Sequence, residues 1–260
     1  MSIGTAKPDK IAQNRAKHFF INNRSVADPD YTAGMFEADA LKTLKEIYVS
    51  NNCCVAVGGS GLYIDALCFG IDDIPKSDEI RQKLQDEIAL SGLESLQERL
   101  RNIDQAFYDQ TDIKNPRRVL RGLEVYELTG KKYSELRKNR KKSRSFNTLW
   151  IGLAPSRNQL FDRINERVLT MIENGLEQEV RSLITHRNSK ALQTLGYREM
   201  FEFIDGKIDL PEAIRLIQRN SRIYAKKQLT WFKRNTDVHW FDTNIGNSEG
   251  LSMIDKFVRT

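Results

Sequence analysis

The sequence is poor in the residues from which metal centres and disulfide frameworks are built. Its 260 residues include only three cysteines and three histidines. Cys53, Cys54 and Cys68 are odd in number and form no Cys-x-x-Cys pair, which argues against both a disulfide framework and a zinc site. Unpaired thiols are typical of a reducing compartment, so we expect a cytoplasmic protein.

Long apolar runs are also missing. No stretch of 18 apolar residues occurs that could cross a membrane, and Met1–Pro8 does not have the charged-then-apolar layout of a secretion signal. Apolar residues nevertheless make up 40% of the sequence, which is enough to bury one sizeable core and a smaller second domain.

Basic residues exceed acidic residues by little, but they are unevenly placed. There are 41 basic and 35 acidic side chains, for a formal charge of +6. One basic run is Lys131–Arg144, and a second group is spaced by four, three and four residues, as on one stripe of a helix. Like charges in such a stripe repel each other, so it is either a solvated face or a surface for nucleic-acid phosphates. The residues of this second group are Arg215, Arg219, Arg222 and Lys226.

Apolar patterns and turn signals in the first half of the chain predict a strand followed by helices. Cys53–Val57 is an apolar, β-branched run that predicts a strand, and the turn Gly58–Gly61 after it leads into a helical pattern. Residues 77–133 predict successive helices, one of which begins at Asn115-Pro116.

The second half of the chain returns to a strand pattern. Thr148–Leu153 and His239–Phe241 predict two strands, and between them Ser156 begins a long helix that Gly175 interrupts. The economical architecture is an α/β core with a mainly helical insertion. The expected domains are a core of residues 1–75 and 147–260 and an insertion of residues 76–146.

Two positions are suited to holding an anion. Gly58–Gly61 lies where a helix begins, so free backbone N–H groups and the positive end of the helix dipole are available beside the Ser60 hydroxyl. An ordinary strand-to-helix turn also requires glycine, so both interpretations stay open. Arg167 interrupts an apolar stripe, and we expect its guanidinium either to pair with an internal carboxylate or to clamp a phosphate.

Three further features combine cations with other groups that bind nucleic acid. Arg117, Arg118 and Arg121 stand at the start of a predicted helix, where cations oppose the helix dipole unless an anion binds. Gln193–Arg198 brings together an amide, an aromatic ring and a cation, which could hold an unstacked base or form an ordinary turn. Arg81 taken by itself is more simply a surface ion pair.

Taken in order, these stretches resemble the tRNA dimethylallyltransferases, the isopentenyl transferases that modify adenosine 37 beside the anticodon. The resemblance runs from Ile3 to about Asp242 and is specific because the motifs occur in the right order. The motifs are IGTAKP at Ile3–Pro8, YTAGMF at Tyr31–Phe36, GGSGLY at Gly58–Tyr63, NPRRVLRGLEV at Asn115–Val125, TGK at Thr129–Lys131, DRINERV at Asp162–Val168, LGYREM at Leu195–Met200 and AKKQLTWFKR at Ala225–Arg234.

The resemblance implies transfer of a dimethylallyl group from dimethylallyl diphosphate to N6 of that adenine, with Mg²⁺ as cofactor. It implies a P-loop NTPase-like parallel-sheet core, an insertion that helps hold the anticodon stem-loop, and a monomeric enzyme. An exocyclic amine is a poor nucleophile, so the adenine must be extruded and aligned with the allylic carbon.

The resemblance also implies roles for individual residues. Arg167 and Ser60 match catalytic positions, and with Gly58 and Gly59 they match the diphosphate-binding corner. Ser60 stands where the family usually has threonine, a change that keeps the hydroxyl. Residues that match positions of tRNA contact are Arg81, Arg117, Arg118, Val119, Leu120, Arg121, Gln193, Thr194, Leu195, Gly196, Tyr197 and Arg198.

Three rival functions stay open on sequence grounds. A non-catalytic tRNA-binding pseudoenzyme would bind tRNA with a steep salt dependence and transfer nothing. A P-loop kinase for a small metabolite would bind nucleotides, and a prenyltransferase for free adenine nucleotides would need no long insertion. The basic stripe and the arginine-rich insertion argue against the last two, because a small substrate needs no such surface.

One part of the family pattern does not occur in this sequence. Ahead of IGTAKP the family has a GxxxxGK[ST] loop that holds diphosphate and metal, and a DS motif whose aspartate is taken as the general base. We therefore expect Met1 to correspond to an internal methionine, and the magnesium ligands to lie in the absent segment. The absent central strand should leave a sheet edge unpaired, which favours aggregation.

We predict that this 260-residue chain by itself transfers little or no dimethylallyl group, because the general base and phosphate loop are not in it. The measurement is transfer of a labelled dimethylallyl group to unmodified tRNA, with a relative that has both motifs as positive control. Turnover near that of the control would contradict the prediction.

Overall fold

The computed structural model describes residues 1–28, 30–138, 141–243 and 248–259, so Arg140 of the basic run lies outside the described residues. The chain forms two compact units, one of Met1–Leu67 with Phe146–Thr260 and one of Cys68–Ser145. The first boundary falls after residue 67 instead of residue 75, and the second after residue 145 instead of residue 146.

Helices make up most of both units. In chain order the α-helices are α1 (Lys10–Arg15), α2 (Ala33–Ile47), α3 (Gly61–Phe69), α4 (Asp78–Ser91), α5 (Leu93–Ile103), α6 (Gln105–Gln110), α7 (Pro116–Thr129), α8 (Tyr133–Leu136), α9 (Arg157–Glu173), α10 (Leu176–Ser182), α11 (Tyr197–Ile204), α12 (Leu210–Phe232) and α13 (Ser248–Arg259). Two short 3₁₀ turns, Ile184–His186 and Lys190–Leu192, lie between α10 and α11. In the described ranges, every helix is too short or too polar to cross a membrane.

The sheet of the described residues has two parallel strands, β1 (Trp150–Leu153) and β2 (Val238–Phe241). Their register runs from the pair Trp150–Val238 to the pair Leu153–Phe241. Parallel strands require a crossover connection, and α9 to α12 supply it. Both strands predicted in the second half are confirmed, and the chain has the predicted α/β character.

The strand predicted at Cys53–Val57 is wrong. This segment has no regular secondary structure, and the side chains of Val55 and Val57 are 87% and 93% exposed. A strand needs a neighbour to satisfy its backbone N–H and C=O groups, and no described strand pairs with this segment. Valine favours strands, but composition alone does not show whether a neighbouring strand is available to pair with this segment.

The helix ends predicted from local turn signals agree with the structure. Asn115 caps α7 by accepting a hydrogen bond from the Arg117 N–H, with Pro116 in the first turn, as predicted. Ser156 caps α9 by accepting from the Gln159 N–H. Gly175 adopts φ +93°, a left-handed conformation that separates α9 from α10.

Each unit has a core of its own. In the second unit α4, α5 and α7 enclose a cluster that includes Leu84, Leu100 and Leu123. In the first unit the buried cluster lies among α9, α10, α11 and α12, and it includes Tyr197 and Ile217. This cluster fixes α12 against α9 and α11, which matters for the sites described below in the first unit.

Candidate active site and nucleic-acid interface

The glycine corner, defined as Gly58–Gly61, lies against the C-terminal part of α12. Gln228 Nε2 donates a hydrogen bond to the Gly59 carbonyl oxygen at 2.8 Å. A Cβ at Gly59 would lie 2.1 Å from Gln228 Nε2, and a Cβ at Gly61 would lie 2.2 Å from Trp231 Cδ1. The close approach of α12 is therefore sufficient reason for two of these glycines.

The same corner opens α3 and carries an exposed hydroxyl. The Ser60 carbonyl oxygen accepts from the N–H groups of Tyr63 and Ile64, which are the first helical bonds of α3. Trp231 Nε1 donates to Asp65 Oδ2 at 2.9 Å and so ties α12 to α3. The corner therefore presents a helix start and the exposed Ser60 side chain on a backbone that α12 holds in place.

Arg167 lies on the exposed face of α9, which corrects the expectation that it interrupts a buried stripe. The buried residue is its neighbour Val168, only 2% exposed, with Met171 and Ile172 packed on the same core. A shift of one residue turns a helix by about 100°, enough to move a side chain from core to solvent. No carboxylate of the described residues pairs with Arg167, whose guanidinium is open to water, and its role as a phosphate clamp stays a prediction.

A single carboxylate anchors the segment that begins with Ile3. The backbone N–H groups of Ser2, Ile3 and Gly4 donate to the Glu179 carboxylate on α10 at 2.6, 3.0 and 3.1 Å. The Tyr197 hydroxyl donates to the same carboxylate at 2.6 Å. Burial alone would raise the pKa of Glu179, but these four hydrogen bonds outweigh it and hold that pKa below its usual value.

The Tyr197 ring cannot serve as the stacking face expected from Gln193–Arg198. It is fully buried, and a Cβ at Gly4 would lie only 2.5 Å from it. Burial, together with the hydrogen bond to Glu179, raises the pKa of the Tyr197 hydroxyl. The side chain therefore works as a core residue and an anchor, and its ring is not accessible to a base.

The rest of this segment forms the turn into α11. Gln193 and Thr194 are exposed, Leu195 is half-buried, and Gly196 adopts φ +88° at the start of the helix. The buried Glu199 carboxylate accepts from the Gly196 N–H at 2.9 Å, and Arg198 Nη2 lies 3.3 Å from it. The turn thus presents an amide, a hydroxyl and a cation to solvent.

In the second unit the buried carboxylate of Glu124 forms hydrogen bonds with two of the predicted tRNA-binding arginines. Glu124 accepts from Arg81 Nη2 at 2.9 and 3.0 Å, from Arg121 Nη1 at 3.1 Å and from the Ser77 N–H at 2.8 Å. Burial would raise the pKa of Glu124, but the hydrogen bonds from Arg81, Ser77 and Arg121 lower it below its usual value. Arg81 and Arg121 therefore hold the insertion together, and Arg81 is more than a surface pair.

The neighbouring residues on α7 divide between solvent and core. Arg117 and Arg118 are exposed, whereas the side chains of Val119 and Leu120 are 0% and 5% exposed in the core of the second unit. Within this segment, Arg117 and Arg118 are the side chains open to a ligand. Contact between tRNA and these four positions, like contact with Arg81 and Arg121, stays a prediction.

In proteins, metal ions are held by clusters of acidic, histidine or cysteine side chains. The residues that the structure describes contain no group of three or more histidine, cysteine, aspartate or glutamate side chains placed to hold a metal ion. The site geometry given above therefore includes no cluster of metal-binding side chains among the described residues.

Comparison with known proteins decides the family. The IPP transferase family matches residues 1–235. The chain is 42% identical over 261 residues to the tRNA dimethylallyltransferase of Christiangramia forsetii, covering 100% of this chain and 86% of that protein. It is 44% identical over 242 residues to that of Cytophaga hutchinsonii, covering 93% of this chain and 79% of that protein. The chain belongs to the tRNA dimethylallyltransferase family.

Solved structures of this family have the same fold. The full-length tRNA isopentenylpyrophosphate transferase of Bacillus halodurans is 33% identical, with a TM-score of 0.68 over 99% of this chain and 82% of that chain. A eukaryotic dimethylallyltransferase acting on tRNA is 22% identical, with a TM-score of 0.76 over 99% of this chain and 69% of that chain, a likeness of fold alone. As a tRNA dimethylallyltransferase, the chain is a prenyltransferase that acts on tRNA.

Sequence reasoning missed the residues that position the corner and the first segment. Gln228 and Trp231 lie three residues apart in AKKQLTWFKR, so their place in a motif was the available signal. Asp65 and Glu179 carry no local signal, because each is defined by a partner far away in the chain: Trp231 for Asp65 and Ile3 for Glu179.

We predict that Gly61→Ala destabilises the chain and that Gly58→Ala does not. The Cβ at residue 61 would overlap the Trp231 ring, an overpacking cost of about 1–3 kcal/mol, of which the better helix propensity of alanine offsets at most about 1 kcal/mol. At residue 58 the nearest atom would be Ile64 Cδ1 at 3.6 Å, an ordinary contact. Urea unfolding followed by tryptophan fluorescence compares the two variants, and equal free energies of unfolding would contradict the prediction.

We also predict that Glu179 contributes stability that is lost in acid. Its folded pKa lies below its unfolded value, so the contribution is complete above the ordinary glutamate pKa of about 4.3 and falls as the pH drops through the folded pKa. Glu179→Gln should therefore reduce the loss of unfolding free energy between about pH 5.5 and pH 3.5. The control is Glu173→Gln, an exposed carboxylate on α9, which should keep the parental pH dependence. An unchanged slope in Glu179→Gln would count against the anchor.

Proposed function

We propose that the residues of this chain take part in transfer of a dimethylallyl group from dimethylallyl diphosphate to N6 of adenosine 37 in the tRNA anticodon stem-loop. Family membership establishes that the reaction is prenyl transfer to tRNA. What we propose in addition is the identity of the donor, of the acceptor base and of the stem-loop that carries it. The observation that carries it is Arg167, exposed and without a carboxylate partner among the described residues. Its helix, α9, packs on α12, the same helix that holds the glycine corner.

The proposed chemistry matches these groups. The bond between C1 and the bridging oxygen of the donor breaks, a bond between N6 and C1 forms, and N6 loses a proton. The diphosphate leaves with its negative charge, and a guanidinium such as that of Arg167 can bond two phosphate oxygens at once. The Ser60 hydroxyl and the N–H groups at the start of α3 would add neutral donors. The resemblance assigns the departing proton to an aspartate that this sequence does not contain.

Three broader parts of the proposal follow from the resemblance. The core is of the P-loop NTPase type, which is supported by parallel strands joined through helices and by a glycine corner at a helix start. A magnesium ion would neutralise charge on the leaving diphosphate, and its protein ligands are expected outside the described residues. The three cysteines are free thiols, in keeping with a cytoplasmic enzyme.

The donor is tested by calorimetric titration with dimethylallyl diphosphate. Arg167→Gln should weaken binding about tenfold or more, since it removes charge-assisted hydrogen bonds. Arg187→Gln is the matched control, because Asp205 already holds that exposed guanidinium at 2.8 and 2.9 Å. Tighter binding of ATP than of the donor would favour the small-metabolite kinase instead.

The acceptor is tested with an anticodon stem-loop that carries 2-aminopurine at position 37. Binding of the chain should raise its fluorescence, because an extruded base leaves the stack that quenches it. The same probe at position 38 is the control and should change much less. Binding of the stem-loop without this signal, together with no donor binding, would favour the non-catalytic tRNA-binding alternative.

A further inference from the structure

Three cations surround one aromatic ring where α9 packs on α12. The centroid of the Phe161 ring lies 5.3 Å from Arg157 Cζ, 5.9 Å from Arg222 Cζ and 5.5 Å from Lys226 Nζ. We call these four residues the cation cluster. Arg157 and Phe161 are one turn apart on α9, and Arg222 and Lys226 are one turn apart on α12. The cluster therefore exists only because the two helices pack together.

The positive charge of the cation cluster is not neutralised within the described part of the chain. None of its three cations forms an ion pair with a described carboxylate, including Asp162 and Glu166 on α9. Arg222 instead donates to the side-chain oxygen of Asn165, a neutral group that orients the guanidinium and leaves its charge.

Two other exposed arginines of the same unit are each paired with a glutamate. Arg215, on the same α12, is held by two hydrogen bonds to Glu212 at 2.6 Å each. Arg181 is held by Glu177 at 2.8 Å. The predicted basic stripe of α12 therefore has two parts. Arg215 is paired with Glu212, whereas Arg222 and Lys226 lie with Arg157 around the Phe161 ring.

Such an arrangement has a cost that an anion would remove. Like charges held this close repel one another, and the negative face of the aromatic ring compensates only in part. Arg157 and Lys226 are exposed and Arg222 is half-buried, so the cluster is open to solvent and to a ligand. The donors are two guanidinium groups and an ammonium group, which is the set that phosphate oxygens accept best.

The cation cluster and Arg167 point in different directions. Six residues separate Phe161 from Arg167 on α9, which is about 9 Å along the axis and about 120° around it. Phe161 and Arg167 therefore lie on different faces of α9. The Arg167 clamp proposed above leaves the cation cluster without a ligand of its own.

We propose that the cation cluster is a separate phosphate-binding site that holds the tRNA backbone. The proposal rests on tRNA as substrate. A phosphodiester is favoured over a free diphosphate because Arg157 and Lys226 are both exposed, which suits a strand passing over them. The site would position tRNA without reading its sequence, because phosphate contacts carry no base information.

The test is the salt dependence of tRNA binding. Arg157→Gln and Lys226→Gln should each make the slope of log K against log salt less steep by about 0.7–0.9 and weaken binding at 0.1 M salt by about five- to tenfold. Arg181→Gln removes the same formal charge from an arginine already paired with Glu177, and it should change neither quantity. Equal effects in all three variants would overturn the proposal, because they would reflect net charge only.

A second variant separates local geometry from charge. Phe161→Leu keeps every charge and removes the ring that gathers the cations, so tRNA affinity should fall several-fold while the thermal midpoint shows that the chain remains folded. Unchanged affinity in a folded Phe161→Leu would overturn the role of the ring and, with it, the defined site.

Titration of the same variants with inorganic diphosphate distinguishes the two sources of phosphate. Weaker tRNA binding with unchanged diphosphate binding supports the backbone site. Weaker diphosphate binding with unchanged tRNA binding overturns it and assigns the cluster to the free anion. Failure of the proposed function would be seen separately, as an absent signal from 2-aminopurine at position 37 while the salt slopes still differ.

Discussion

The contact between α12 and the glycine corner leaves no room for a side chain at residue 61. Gln228 bonds the Gly59 carbonyl oxygen, and the Trp231 indole fills the space that a Cβ at Gly61 would need. Because α12 also packs on α9 and α11, one helix sets the positions of the corner, of Arg167 and of the turn before α11. Glycine at residue 61 is needed for this approach of the Trp231 ring.

Each unit also has a carboxylate that accepts several hydrogen bonds, half-buried at Glu179 and fully buried at Glu124. A buried carboxylate destabilises the fold unless it accepts several hydrogen bonds. Glu179 accepts four in the first unit, and Glu124 is bonded by Arg81, Arg121 and the Ser77 N–H in the second. Arginines that the sequence predicts to bind tRNA, such as Arg81 and Arg121, can therefore instead stabilise the fold by pairing with a buried carboxylate. Exposure separates Arg117 and Arg118 from Arg81 and Arg121, and the sequence does not contain that information.

The helices were predictable because their signals are local. Asn115 with Pro116, Ser156 and Gly175 act through the backbone within one or two turns, and the apolar spacing of α4, α5 and α7 repeats over several turns. The family was predictable because motifs keep their order.

The failures concern information that is not local. Cys53–Val57 lacks a partner strand, and pairing depends on residues elsewhere in the chain. The apolar spacing of α9 predicts a buried stripe that includes Arg167. The structure instead buries Val168, the next residue, and leaves Arg167 exposed. The ring of Tyr197 was assigned to the surface because its motif cannot show that Gly4 packs against it. Asp65 and Glu179 could not be found at all, since their partners lie far away in sequence.

The anchoring of the first residues by Glu179 has a consequence for how the chain is made. Glu179 lies 176 residues after Ile3, and the Tyr197 hydroxyl that shares its carboxylate comes later still. During translation Ile3 emerges before α10 and α11, so its segment cannot dock until both helices have left the ribosome. Contacts this distant slow folding, because the loop between them must close before they stabilise anything. Ser2, Ile3 and Gly4 are thus synthesised before the groups that bind them and can dock only after those groups are in place.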